Sequence, residues 1–197
     1  SADLLRVVDM HSDYLEEASG VSFIERNAYE LYNYYPIRCV ACTEGYFRIL
    51  YASLINHGQP FRDNAKNFEN IKYSIAAAFE LQSNSLTIGE FISHLLPTNN
   101  LEDINKNMSV LLGRDFLVEL KKEFFEIPHM PPLFGGVESL YDSLLSDIKE
   151  MFKRRHIFCH EVGGIKEHLP PPPNQFINAT AQLLSTTESL VEKSTKG

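Results

Sequence analysis

The run Lys153-Arg154-Arg155-His156-Ile157-Phe158-Cys159-His160 collects three side chains suited to one kind of chemistry: Arg155, His156 and His160. Imidazoles take up and release protons near neutral pH. Arginine keeps its charge and matches phosphate oxygens through its planar fork. Cleaving RNA without a metal calls for these parts. A base takes the 2′-OH proton, an acid protonates the leaving 5′-oxygen, and a cation offsets the phosphorane charge. Arg155 and His160 are five positions apart, about 140° around a regular helix. A compact site therefore forms more readily if two copies of the helix meet across a two-fold axis, each giving one arginine and one histidine.

The position of Arg155 adds weight. Val137, Leu140, Tyr141, Leu144, Leu145, Ile148, Met151 and Phe152 form one apolar stripe on a helix expected from 136 to 162. Continuing the count places Arg155 within about 20° of Ile148 on the wheel, where an aliphatic residue would be ordinary. Lys153 and Arg154 fall off that stripe, and His156 and His160 flank it at i and i+4. A plainer reading competes: cations near a helix C-terminus complement its dipole, and an arginine stem can lie on apolar surface with its head in water. Against it stands the need of an arginine on a packing stripe for an anionic partner.

These residues resemble the signature of HEPN domains (higher eukaryotes and prokaryotes nucleotide-binding), in which an arginine, a polar residue and three further residues precede a histidine late in a long helix. Asn99-Asn100-Leu101-Glu102-Asp103-Ile104-Asn105, followed by Leu111-Leu112-Gly113, is similar to an upstream segment of some subfamilies, notably the RiboL-PSP-associated one. The resemblance implies a HEPN-like helical bundle with additional short helices. It implies a homodimer acting as a metal-independent endoribonuclease on RNA, with Arg155 and His160 as the catalytic pair and His156 in the polar position. It also implies a toxin or phage-defence setting, with an antitoxin or other inhibitor protein as a further partner. Some HEPN domains instead bind nucleotides or serve as non-catalytic dimerising modules. That is the alternative here.

The elements that must position these residues are helical throughout. Helical spacing is visible from Leu4 to about Gly20, over 22–34, over 37–56 after a break at Pro36, from Phe68 to Phe79, at 101–111, at 114–125, and at 175–193. Thr87-Ile88-Gly89-Glu90 has capping-box spacing. Few β-branched runs alternate with period two, so the fold class is all-α, read as one domain over 1–197. Pro/Gly-rich loops are expected at 128–135 and 168–174, and a flexible tail at 190–197. The helix 37–56 is apolar on nearly all sides, which predicts central burial.

Glu44 falls in that apolar sector. It could pair with Arg48 one turn on, or orient Arg155 or a histidine as a supporting carboxylate. Glu161 could do the same from beside His160, and Arg154 supports from beside Arg155. Cys39-Val40-Ala41-Cys42 has the CxxC spacing of zinc sites, with Cys159-His160 as further ligands. Cysteine in an apolar helix more often behaves as a small hydrophobe, so neither a metal nor any other cofactor is expected.

With 197 residues and 44% hydrophobic content the chain can bury a core. Three cysteines make no disulfide framework, which favours a reducing, cytoplasmic setting. The apolar runs are too short for a membrane span, and no leader pattern is visible. A formal net charge of −8 argues against a broad basic surface for nucleic acid, but leaves room for a small basic site.

Overall fold

The computed structural model describes residues 22–69, 71, 79, 86–126, 137–160 and 173–196. Among these residues are seven α-helices, one 3₁₀ turn and no strand, so the chain is all-α. The helices are α1 (Ser22–His57), α2 (Phe61–Asn64), α3 (Ile88–Leu95), α4 (Leu101–Leu112), α5 (Phe116–Glu126), α6 (Val137–His160) and α7 (Pro173–Lys196), with the 3₁₀ turn at Ala65–Asn67. The segment expected at 4–20, the loop at 128–135 and most of the loop at 168–174 lie outside the described residues, as does most of the helix expected between Phe68 and Phe79; Pro173 and Asn174, expected in that second loop, instead open α7. Phe68 itself is extended and closes the 3₁₀ turn.

Two helices expected around Pro36 are one. Pro36 sits inside α1 and is buried. A proline at that depth removes one intrahelical hydrogen bond and costs about 3 kcal/mol. Burial of the flanking residues Tyr35, Cys39 and Val40 offsets this, at about 1.5–3 kcal/mol for each large apolar side chain.

Two compact units are distinguishable. The first comprises Ser1–Ala41 and Ser143–Leu183. Its core takes Tyr35, Cys39 and Val40 from α1. Leu144, Ile148, Met151 and Phe152 come from α6, and Phe176, Ile177, Ala179 and Leu183 from α7. The three- and four-residue spacings put each set on one helix face. Thr180 is buried in the same core, with its Oγ1 3.4 Å from Met151 Sδ.

The second unit comprises Cys42–Asp142 and Leu184–Gly197. Phe47, Tyr51, Leu54 and Ile55 of α1 are buried there with Leu101, Ile104, Met108 and Leu111 of α4 and Phe116, Leu120 and Phe124 of α5. Phe47 meets Phe116 edge-on at 6.1 Å. The α1 helix is nevertheless not covered all round: Ile49 is 70% exposed, so the expected central burial holds for one face only.

Side-chain caps fix the short helices. Thr87 and Glu90 form the capping box expected for α3. Asn100 Oδ1 accepts from Asp103 N at 2.7 Å at the start of α4. Gly113 ends that helix in the left-handed region at φ 68°, where glycine is favoured. At the start of α5, Ser109 Oγ accepts from Phe116 N at 2.9 Å and Asn105 Oδ1 accepts from Leu117 N at 3.1 Å. Asn64 Nδ2 donates to the Leu111 carbonyl at the end of α4.

The last turns of α7 correct the expectation of a flexible tail. The helix runs to Lys196, with Leu190 and Val191 buried. Glu123, buried on α5, accepts from Ser189 Oγ at 2.5 Å and from Lys193 Nζ at 2.8 Å, while Arg114 Nη2 donates to Ser194 Oγ. The charged, polar composition after Leu190 hid these partners because they come from a distant stretch of chain.

Gly89 holds α3 against α1. Its N–H donates to Asn56 Oδ1 at 3.1 Å, and a Cβ there would lie 2.4 Å from the Ala52 carbonyl oxygen. Gly89→Ala is therefore expected to cost about 1–3 kcal/mol, measured by thermal or denaturant unfolding. Glu123 supplies a pH test. Burial opposes its charge, but the Lys193 and Ser189 hydrogen bonds outweigh burial and hold its carboxyl below the ordinary value of 4.5. Its contribution is present above that value and is lost as pH falls through the lower folded value. Between about pH 5 and pH 3 wild type should lose more unfolding free energy than Glu123→Gln.

Candidate functional site

The final turns of α6 carry the cations singled out by the sequence. Ile148 and Met151 are fully buried, which fixes the face that α6 turns toward the first unit's core. Phe152 is buried beside them, and Lys153 and His156 are exposed. Arg155, seven residues beyond Ile148 and four beyond Met151, is half-buried. The apolar stripe thus runs into an arginine at the register expected from the wheel. The long stem of arginine can cover apolar surface while its guanidinium reaches polar surroundings.

Arg154 behaves differently from its expected place off the stripe. Its side chain is only 15% exposed, against 69% for Lys153. It folds back one turn, and its Nε donates to Glu150 Oε1 at 2.9 Å. Lys153 Nζ lies 3.9 Å from the other oxygen of the same carboxylate. Glu150 therefore draws two of the three consecutive cations toward itself, a role missed in the sequence. The signal was there: Glu150 precedes Lys153 by three residues and Arg154 by four, the spacings at which helix side chains meet. The positive charge of this stretch is correspondingly smaller than the residue count implies.

His156 and His160 share α6 at a separation of four, and the helix includes His160 as its last residue. Arg155 and His160 differ by about 140° in direction and about 7.5 Å along the axis. One copy of the helix thus presents the two groups in different directions. Glu161 lies outside the described residues. Glu44, half-buried on α1, belongs to the second unit, whereas Arg154, Arg155 and His156 belong to the first.

None of the three cysteines is in a disulfide: Cys39 is buried, Cys42 half-buried and Cys159 exposed. Cys39 and Cys42 lie on the continuous α1 helix, and Cys39 packs as a small apolar residue in the first core. Among the described residues no three His, Cys, Asp or Glu side chains are grouped as a metal site. Among the same residues no helix is long and apolar enough to cross a membrane.

The upstream segment that resembles HEPN sequences has a local structural account. Asn100 and Asn105 cap α4 and α5, and Gly113 closes α4. Asn107 Nδ2, in the same helix, donates to the Pro97 carbonyl at 2.7 Å. These residue types are what two short, sharply connected helices require. No protein-family profile, curated protein or solved structure matches the chain.

The two ion pairs of Glu150 are partly exposed and lie along one helix, so each is worth only a few tenths of a kcal/mol. Glu150→Gln is expected to lower stability by less than about 1 kcal/mol in thermal denaturation. A larger loss would show that the Glu150 charge holds Arg154 in place, and no loss that packing holds it.

Proposed function

We propose that this chain is a metal-independent endoribonuclease whose site is built around Arg155 and His160 of α6, with two copies contributed by a homodimer. The observation that carries this reading is the half-buried Arg155, standing in register with Ile148 and Met151 where the apolar stripe ends. An arginine at such a place is retained at some cost to packing, and a phosphate is the ligand its fork fits best. Support also comes from His156 and His160, four residues apart on the same helix.

In the proposed reaction one histidine takes the 2′-OH proton. The 2′-oxygen attacks the adjacent phosphorus, and the bond to the 5′-oxygen breaks. The symmetry-related histidine protonates that leaving oxygen, and the arginines offset the charge on the phosphorane. The products are a 2′,3′-cyclic phosphate and a 5′-hydroxyl. Arg154, turned back onto Glu150, takes a supporting place. A toxin or phage-defence effector held in check by a cognate inhibitor protein is the biological setting this reading suggests.

The chain's net charge of −8 and the two cations drawn to Glu150 favour the second reading, a non-catalytic helical module that dimerises or binds a nucleotide. The two separate cleanly. Purified protein is expected to cut RNA in EDTA, leaving cyclic-phosphate ends detectable by mass spectrometry. Arg155→Ala and His160→Ala should each lower the rate by about 100-fold or more. Equal cutting by wild type and both variants identifies a contaminant, and no cutting across the pH range favours the binding module.

A further inference from the structure

The second unit carries a groove of about 360 Å³ lined by Ile55, Arg62, Ala65, Lys66, Ile88 and Ile92. It is distant in sequence from the α6 cations, and its reading stands independently of the proposed ribonuclease. Its geometry follows from how α3 is held. Asn56 of α1 receives the Gly89 N–H and donates to Thr87 Oγ1, which pins the first turn of α3. Ile88 and Ile92 then follow one another along one side of α3, at i and i+4. That side is incompletely covered: Ile88 is 48% exposed and Ile92 is half-buried. Ile55, itself buried, and Ala65 supply further apolar wall.

The polar contribution comes from two residues of one sign. Arg62 and Lys66 are exposed, and they stand four residues apart on α2 and the 3₁₀ turn. Lys66 Nζ contacts Asp63 at 2.6 Å, a solvent-exposed pair of the kind that exchanges readily for another anion. Glu90, the acid on the first turn of α3, has its carboxylate occupied by the Thr87 N–H and hydroxyl. Among the described residues the lining therefore has aliphatic walls, two cations and no acid. Its volume lies at the lower end of the range for small-molecule sites, which are mostly apolar with a few placed polar groups. Among the described residues no aromatic ring lines it, and stacking of a nucleobase calls for one.

We infer that this groove binds an aliphatic carboxylate of medium chain length, its chain along Ile55, Ile88 and Ile92 and its head group at Arg62 and Lys66. In a chain of net charge −8, an anion needs such local pairing to settle here at all. The test titrates decanoate into the full chain. Calorimetry gives the affinity, and isoleucine-methyl NMR gives the location.

Saturable binding is expected, with shifts at the methyls of Ile55, Ile88 and Ile92. The double variant Arg62→Ala with Lys66→Ala should weaken binding by about tenfold or more, as should replacing decanoate by decanol. Ile92→Glu should abolish it, with helical circular dichroism confirming that each variant folds. Equal affinity for decanol and decanoate overturns the inference. So do shifts confined to other isoleucines, or no saturable binding below the concentration at which decanoate aggregates.

Discussion

The continuity of α1 through Pro36 is the constraint on which both cores depend. One helix supplies Tyr35, Cys39 and Val40 to the first unit and Phe47, Tyr51, Leu54 and Ile55 to the second. Were the helix to end at Pro36, Tyr35 would lose its register with Cys39 and Val40, which share the first core with it. The local preference at the proline is overruled by burial on both sides of it. This is tertiary packing deciding an element boundary.

Within the second unit the short helices have little intrinsic stability, since isolated helices of their length are marginal in water. Their ends are closed by side chains: Thr87 with Glu90, Asn100, Asn105, Ser109 and Asn64. A cap is worth about 1 kcal/mol, a substantial share for a helix of two or three turns. Of these, Asn100 and Asn105 lie in the segment that resembles HEPN sequences, so that part of the resemblance reflects how such helices are joined. The reading of function rests instead on Arg155, whose position no cap explains.

What could be read from the sequence was what is encoded locally. Thr87 and Glu90 announced α3, helical spacing over 101–111 placed α4, and the apolar stripe of α6 placed Arg155 at its half-buried register. What escaped was set by distant partners. Lys193 and Ser194 read as tail until Glu123 and Arg114 meet them, and Ile49 read as core although that side of α1 is open. Arg154 read as a support for Arg155 off the stripe, without the Glu150 carboxylate that folds it back. For the candidate site the wheel gave direction and spacing along one helix. A second helix that would complete it lies beyond what a single helical pattern encodes.

The buried tyrosines have a consequence at alkaline pH. Burial holds the Tyr46 and Tyr51 hydroxyls well above the ordinary value of 10.0, Glu188 adding to the effect at Tyr46, and burial pushes Tyr141 up to about 12. These groups stay protonated in the folded chain while the unfolded chain gives up its protons, so their contribution to stability is complete below pH 10 and disappears as pH rises toward the folded values. The chain has no tryptophan. Its ultraviolet signature is therefore tyrosine's alone, and the appearance of the phenolate band from these positions records the opening of the second unit's interior.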